Sequence, residues 1–311
     1  MLTETTVTKL QEMRLSVMAK AFKEQLADPT MASLSFEDRF GLIVDQEWAN
    51  RKNNHLKRLI KNAGFAESGA CVEDIEYHAD RNLDKAQIAR LATCNYITEH
   101  HNILLLGATG CGKTYLACAL GMAAVRNFYT VKYVRLPELL TELAIARNNG
   151  TFRKVIQQYK KPSLLILDEW LLYSLKDTEA RDLLEIAEAR YKKASTIFCS
   201  QFDIPGWMDK IGDPLIADAI CDRCVHNAYK IVIECKESMR KRKGQPDTEA
   251  EGAYGLSGSA RTRGLSYLRF SKESGGLSET KKIDAHASLS LFNLVFGARV
   301  VPQRCPILFY A

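Results

Sequence analysis

Two clusters in this chain have residue types and spacing suited to chemistry on a polyphosphate. The first is Gly107-Ala108-Thr109-Gly110-Cys111-Gly112-Lys113-Thr114, which follows the apolar run Asn102-Ile103-Leu104-Leu105-Leu106 and precedes a helical run from Tyr115 to Val125. Its glycines let backbone N–H groups turn inward around phosphate oxygens, and the helix opening at Lys113 adds its positive dipole end. Lys113 supplies a point charge for the outer phosphates, and Thr114 offers a hydroxyl to Mg²⁺. The buried strand before the glycines and the helix after them separate this reading from a glycine-rich turn with no ligand.

The second cluster is Leu164-Leu165-Ile166-Leu167-Asp168-Glu169, four apolar residues closing on two acids. A parallel strand beside the phosphate loop would carry Asp168 to the Mg²⁺ held by Thr114 and Glu169 to the water that attacks a γ-phosphate. Acid pairs also cap helices, and what favours catalysis is the strand-helix-strand interval after the loop. A further strand ends Phe198-Cys199-Ser200-Gln201, at the edge where open α/β sheets bind ligands. Gln201, with Ser200 as the alternative, could reach the γ-phosphate or the attacking water, or cap the strand end. Arg223 follows an apolar helical face and could either reach a neighbouring subunit's nucleotide or pair with a nearby acid.

These residues need a scaffold, and alternation supplies it. Strand candidates are 103–106, 131–135, 164–167, 196–200 and 229–233, with helices around 114–127, 138–160, 178–193 and 213–224. Short apolar runs separated by helices predict a parallel sheet covered on both faces. Upstream, apolar spacing predicts a helix over 8–27 that stops before Asp28-Pro29. A second helix opens at Ser35 and Asp38, with Phe36, Phe40, Ile43, Val44 and Trp48 as its buried stripe. After a connector over 64–80, a helix over 83–98 leads into the phosphate loop. The division expected is a helical domain over 1–65, a nucleotide-binding domain over 66–243, and a tail over 244–311.

With 311 residues, 26% of them charged, the chain suits one α/β domain and a smaller appendage. Its longest apolar stretches are strand-sized and its start lacks a signal-peptide pattern, so no membrane span is expected. Nine cysteines without a framework suggest a reducing cytosol and free thiols. Cys221-x-x-Cys224 has no second pair at ligand spacing and is read as helix. A net charge of +6 is compatible with a polyanionic partner. Arg51, Lys52, Lys57, Arg58 and Lys61, with His55 among them, form one basic block; Lys236, Arg240, Lys241, Arg242 and Lys243 form another. Each is a solvated face or a surface for DNA.

Together, Gly107–Thr114, Asp168-Glu169, Ser200-Gln201 and the stretch from Gly212-Asp213-Pro214 through Asp222-Arg223 to Tyr229 resemble the IstB-like helper ATPases of bacterial insertion sequences. That family is similar to the DnaC helicase loaders and belongs to the AAA+ class. The resemblance runs from about residue 5 to Lys243. It implies a P-loop AAA+ sheet with an N-terminal helical domain, ATP and Mg²⁺ as cofactors, duplex DNA and a transposase as partners, and assembly of subunits on ATP and DNA. It also implies Gln201 or Ser200 as first sensor, Arg223 as arginine finger and Arg240 as second sensor. The chain departs from the family at Trp170-Leu171, where an aromatic or apolar residue and a glycine often stand, and in the tail. There, 252–264 reads as a Gly/Ser-rich linker and 289–301 is apolar, an extension without a role in the ATPase.

The function expected is therefore a cytoplasmic, ATP-dependent helper of transposition that binds DNA with little sequence preference. A DnaC-like helicase loader is the alternative from a different class. A small-molecule kinase is disfavoured, because no acceptor-binding lid is evident and Asp168-Glu169 suits water activation.

Overall fold

The computed structural model describes residues 2–235 and 238–244. Of the tail expected over 244–311, Gly244 ends the last described helix and 245–311 lie outside the described residues. At the N-terminus, α1 (Leu2–Glu12) and α2 (Ser16–Ala27) stand where one helix over 8–27 is expected. Arg14 breaks it, holding a left-handed φ of 59° that an α-helix cannot contain. Helix α3 (Phe36–Ala63) opens at Ser35, whose Oγ accepts from the Asp38 amide at 3.1 Å, and closes at Gly64 with φ 68°.

The stripe expected on α3 is corrected by the structure. Only Ile43 of the five is buried; Phe36 is 69% and Trp48 59% exposed. The reason lies on another face, where α2 lacks a local side-chain cap and docks its N-terminus on Glu47 of α3 instead. That carboxylate accepts from the amides of Val17 at 3.1 Å and Met18 at 3.0 Å, and from Arg51 Nε at 2.7 Å. At its other end, α3 places Leu59 and Ala63 in the same core as Val131 and Tyr133, so its last turns pack on the nucleotide-binding sheet.

The helix expected over 83–98 is likewise two, α4 (Lys85–Ala92) and α5 (Asn95–Thr98), parted by Cys94 at φ 65°. The sheet follows: β1 (Asn102–Leu106), α6 (Lys113–Arg126), β2 (Val131–Arg135), α7 (Leu136–Asn148), then the short α8 (Phe152–Val155) and α9 (Gln157–Lys160). Gly150, at φ 68°, ends α7 inside the span expected as one helix. The chain continues through β3 (Leu164–Trp170), α10 (Asp177–Arg190), β4 (Ser195–Ser200), α11 (Ile204–Ile211), α12 (Pro214–Val225), β5 (Ala228–Val232) and α13 (Met239–Gly244). Helix α11 went unforeseen.

All four strand pairings are parallel, in the order β2-β3-β4-β1-β5. This is the α/β class expected, a parallel sheet flanked by helices with an N-terminal helical region. Alternate residues of each strand enter opposite cores. Ile103 and Leu105 pack with α6, while Leu104 and Leu106 face α7, α10 and α12. Among the described residues, no helix is long and apolar enough to cross a membrane.

Candidate nucleotide site

Because the strands are parallel, their C-terminal ends share one edge, and every loop that leaves that edge converges there. The turn from β1 to α6 is the phosphate loop. Gly107, Gly110 and Gly112 hold φ values of 155°, 85° and 85°, conformations that turn successive amides to one side and that a side chain would resist. Lys113, 9% exposed, donates from Nζ to the carbonyls of Gly107 at 2.7 Å and Ala108 at 2.8 Å. It thus lies folded over the loop whose ligand it would share.

Strand β3 is not a direct neighbour of β1, since β4 lies between them, yet its end reaches the phosphate loop as expected. The chemistry still meets. Thr114 Oγ1 donates to Asp168 Oδ2 at 2.8 Å, and Tyr133 OH donates to the same oxygen at 2.8 Å. Asp168 Oδ1 accepts the Glu169 amide at 2.9 Å. Burial first, then the Asp168 charge, pushes the Tyr133 hydroxyl far above its usual range, so it stays a donor. A hydroxyl and a carboxylate oxygen at this separation form the hard donor set that Mg²⁺ takes with one or two protein ligands.

Glu169 stands one residue on, with a left-handed φ of 53°, where the pairing of β3 with β4 is irregular. Both its carboxylate oxygens lie 2.8 Å from NH2 of Arg135 at the end of β2. Leu171 also takes a left-handed φ, 54°, the conformation that a glycine at this departure from the family pattern would hold without strain. Gln201 is exposed and lines the same cleft as Thr109, Lys113, Asp168 and Glu169. Ser200 is spent elsewhere. Its buried Oγ donates to the Trp170 carbonyl at 3.0 Å and accepts from Phe202 N and Trp207 Nε1.

Arg223 faces the opposite edge. It lines a small cavity with His100 and Asn102 at the start of β1, and its NH2 lies 3.1 Å from Glu188 while NH1 donates to the Ala219 carbonyl. It is remote from the chain's own phosphate loop. The backbone of Arg240 belongs to α13, and its side chain lies outside the described residues, as does Lys236. The basic block on α3 is exposed at Arg51, Lys52, Lys57, Arg58 and Lys61. Arg51 is nevertheless engaged with Glu47 and the Arg14 carbonyl, and Lys52 Nζ sits 4.6 Å from the centre of the Phe128 ring.

One expectation about the cysteines is corrected. Cys111 of the phosphate loop and Cys235 are joined by a disulfide. After β5 the chain runs on beside β1, with the Ile233 amide donating to Leu106 O at 2.7 Å, which brings the two Cα atoms to 5.6 Å. Cys71, Cys94, Cys118, Cys199, Cys221 and Cys224 are free, as expected. Sequence reasoning also missed Arg81, Tyr133 and Arg135. The last two alternate on β2 at period two, a signal that was present; Arg81, buried before β1 with NH2 donating to the Cys111 carbonyl at 2.9 Å, carried none.

Comparison with known proteins bears on this arrangement. A family model described as IstB-like ATP binding protein matches residues 8–246. An insertion sequence ATP-binding protein of Sinorhizobium fredii is 39% identical over 241 residues, covering 78% of this chain and 98% of that one. The ATP-binding protein of insertion sequence IS1162 of Pseudomonas fluorescens is 44% identical over 201 residues, 65% of this chain and 87% of that one. Among solved structures, DnaI is similar with a TM-score of 0.47 and 21% identity, covering 57% of this chain and 93% of that one.

Proposed function

The chain belongs to the IstB-like family of insertion-sequence ATP-binding proteins, and from that premise we propose that it is an ATP-hydrolysing helper of transposition that assembles on duplex DNA and engages a transposase. The observation that carries the reading is the bond of Thr114 to Asp168 at 2.8 Å, which joins the phosphate loop to the acids of β3 in one cleft with Lys113 and Gln201.

Each residue has a role in that reading. The amides of Gly107 to Thr114 wrap the phosphates, and Lys113 exchanges its two carbonyl partners for phosphate oxygens. Thr114 and Asp168 would hold Mg²⁺, which neutralises charge on the phosphates when bound. Glu169 takes the proton of the attacking water once it leaves Arg135. Gln201 orients that water or the γ-phosphate. Arg223, remote from its own loop, serves a neighbouring subunit, and Arg240 acts as second sensor. Lys57, Arg58 and Lys61, with Arg51 and Lys52, grip DNA phosphates, so affinity falls steeply with salt and varies little with sequence.

The relatives at 39% and 44% identity carry insertion-sequence names, which favours a transposition helper over a helicase loader; the cytoplasm is where we propose it acts. Electron microscopy of the protein on duplex DNA tests the proposal. Ordered assemblies with ATP and none with ADP are expected; identical images in both nucleotides overturn it.

A further inference from the structure

The disulfide is the feature of the site that ATP hydrolysis does not use. It lies inside the phosphate loop itself, because Cys111 is the residue before the Gly112-Lys113-Thr114 turn that opens α6. Cys111 is fully buried and its carbonyl is already held by Arg81. Cys235, half-buried, follows Ile233 and Glu234, whose amides donate to Leu106 O and Arg81 O. The bridge therefore ties the loop's centre to a stretch of backbone that is itself anchored to β1.

We propose that Cys111–Cys235 is a thiol redox site that sets how readily the phosphate loop opens, so that reduction speeds nucleotide exchange. This rests on the nucleotide-binding reading of the loop. Binding and release require Lys113 to trade the carbonyls of Gly107 and Ala108 for phosphate oxygens. Cys111 stands in the loop between those carbonyls and Lys113, so the backbone that positions both partners passes through it. With the bridge closed, the loop moves only as far as the β1-anchored stretch allows; with it open, Cys111 is held by the Arg81 bond, its amide's bond to the Ala108 carbonyl and its packing in the core, none of which ties it covalently.

The chemistry is thiol–disulfide exchange. A dithiol reductant attacks Sγ of Cys235, the less buried sulfur, and the S–S bond breaks with Cys111 leaving as thiolate. The helix N-terminus at Gly112 favours that anion. The second thiol of the reductant then attacks the reductant's own sulfur in the mixed disulfide, expelling the Cys235 thiolate and closing the reductant's disulfide, which leaves two protein thiols once both thiolates take up protons. A low-molecular-weight disulfide reverses the reaction, releasing two thiols as the bridge closes. Competing thiols in this half of the sheet are poorly reactive, since burial pushes the Cys118 thiol up to about 11 and the Cys199 thiol well above its ordinary value.

The test uses the full chain, oxidised with a small-molecule disulfide or reduced with a dithiol. Non-reducing peptide mapping shows whether 111 and 235 are joined, and a fluorescent ADP analogue gives the release rate in each state. We expect the bridge in the oxidised protein, release at least about five-fold faster after reduction, and Cys235→Ser fixed at the fast rate whatever the treatment. A bridge that only stabilises the fold would lower Tm on reduction and leave release unchanged, which overturns the proposal. Two free thiols after oxidation overturn it as well. Equal release from both states with tight binding removes the redox control alone, whereas no nucleotide binding in either state removes the nucleotide reading with it.

Discussion

Glu169 and Arg135 form a closed pair at the edge of the sheet, with both carboxylate oxygens 2.8 Å from one guanidinium nitrogen. A carboxylate in that contact is less available to accept a proton from a water molecule. The pair spans two strands, since β2 carries Arg135 opposite Asp168 on β3, and the left-handed backbone at Glu169 turns its side chain toward it. Arg135 is exposed enough to be replaced without emptying the core.

Arg135→Ala is expected to raise basal hydrolysis several-fold in the absence of DNA, by releasing Glu169 to the attacking water. Phosphate release by purified protein measures it. A lower rate would mean that Arg135 aims the carboxylate and does not restrain it.

Glu169→Gln separates binding from chemistry. The amide keeps the size and loses the base, so nucleotide affinity stays while turnover falls by roughly 10² to 10⁴. Lys113→Ala, in contrast, removes a charge that the phosphates need, and binding itself is lost. Calorimetry and steady-state hydrolysis on both variants distinguish the two; parallel losses in both would leave Glu169 without a catalytic role.

Much of this site was legible beforehand because each motif sits where a strand meets a loop, and strands announce themselves by apolar runs. All five strand candidates appear within two residues at their starts and three at their ends. What sequence concealed came from packing between distant segments. Cys111 and Cys235 are 124 residues apart, and nothing in their spacing marks them as neighbours. The α3 stripe misleads for the opposite reason: apolar side chains at helical spacing point to a core-facing side, whereas α2 packs on the side that offers Glu47. Helix breaks at Arg14 and Cys94 involve left-handed residues without a glycine to signal them.

Tyr133→Phe tests a residue that acts through Asp168. Removing the hydroxyl takes one hydrogen bond from Asp168 Oδ2, leaving Thr114 on that oxygen and the Glu169 amide on Oδ1, so the carboxylate is held less firmly. The loss of one hydrogen bond to a charged group costs about 1.5–3 kcal/mol. The Mg²⁺ concentration for half-maximal hydrolysis should rise several-fold, with nucleotide affinity in the absence of Mg²⁺ unchanged. A lower Tm with an unaltered Mg²⁺ dependence would make Tyr133 a packing residue only.

The attachment of α2 to α3 carries a pH dependence whose sign follows from Glu47. Burial pushes its carboxyl up, but the Arg51 hydrogen bond and charge, with the amides of Met18 and Val17, outweigh that and hold it below the usual 4.5. A carboxyl lowered in the folded state stabilises fully above its unfolded value, and the contribution drains away as pH falls through the folded one. Glu47→Gln should therefore weaken the N-terminal helices by about 1–2 kcal/mol near neutral pH. On acidification the wild-type protein loses that advantage and the two converge. Limited proteolysis between α1 and α3, followed across the acid range, reads the difference, and a gap that stays constant down to the pH where wild-type Glu47 is protonated would show that its charge does not hold α2 in place.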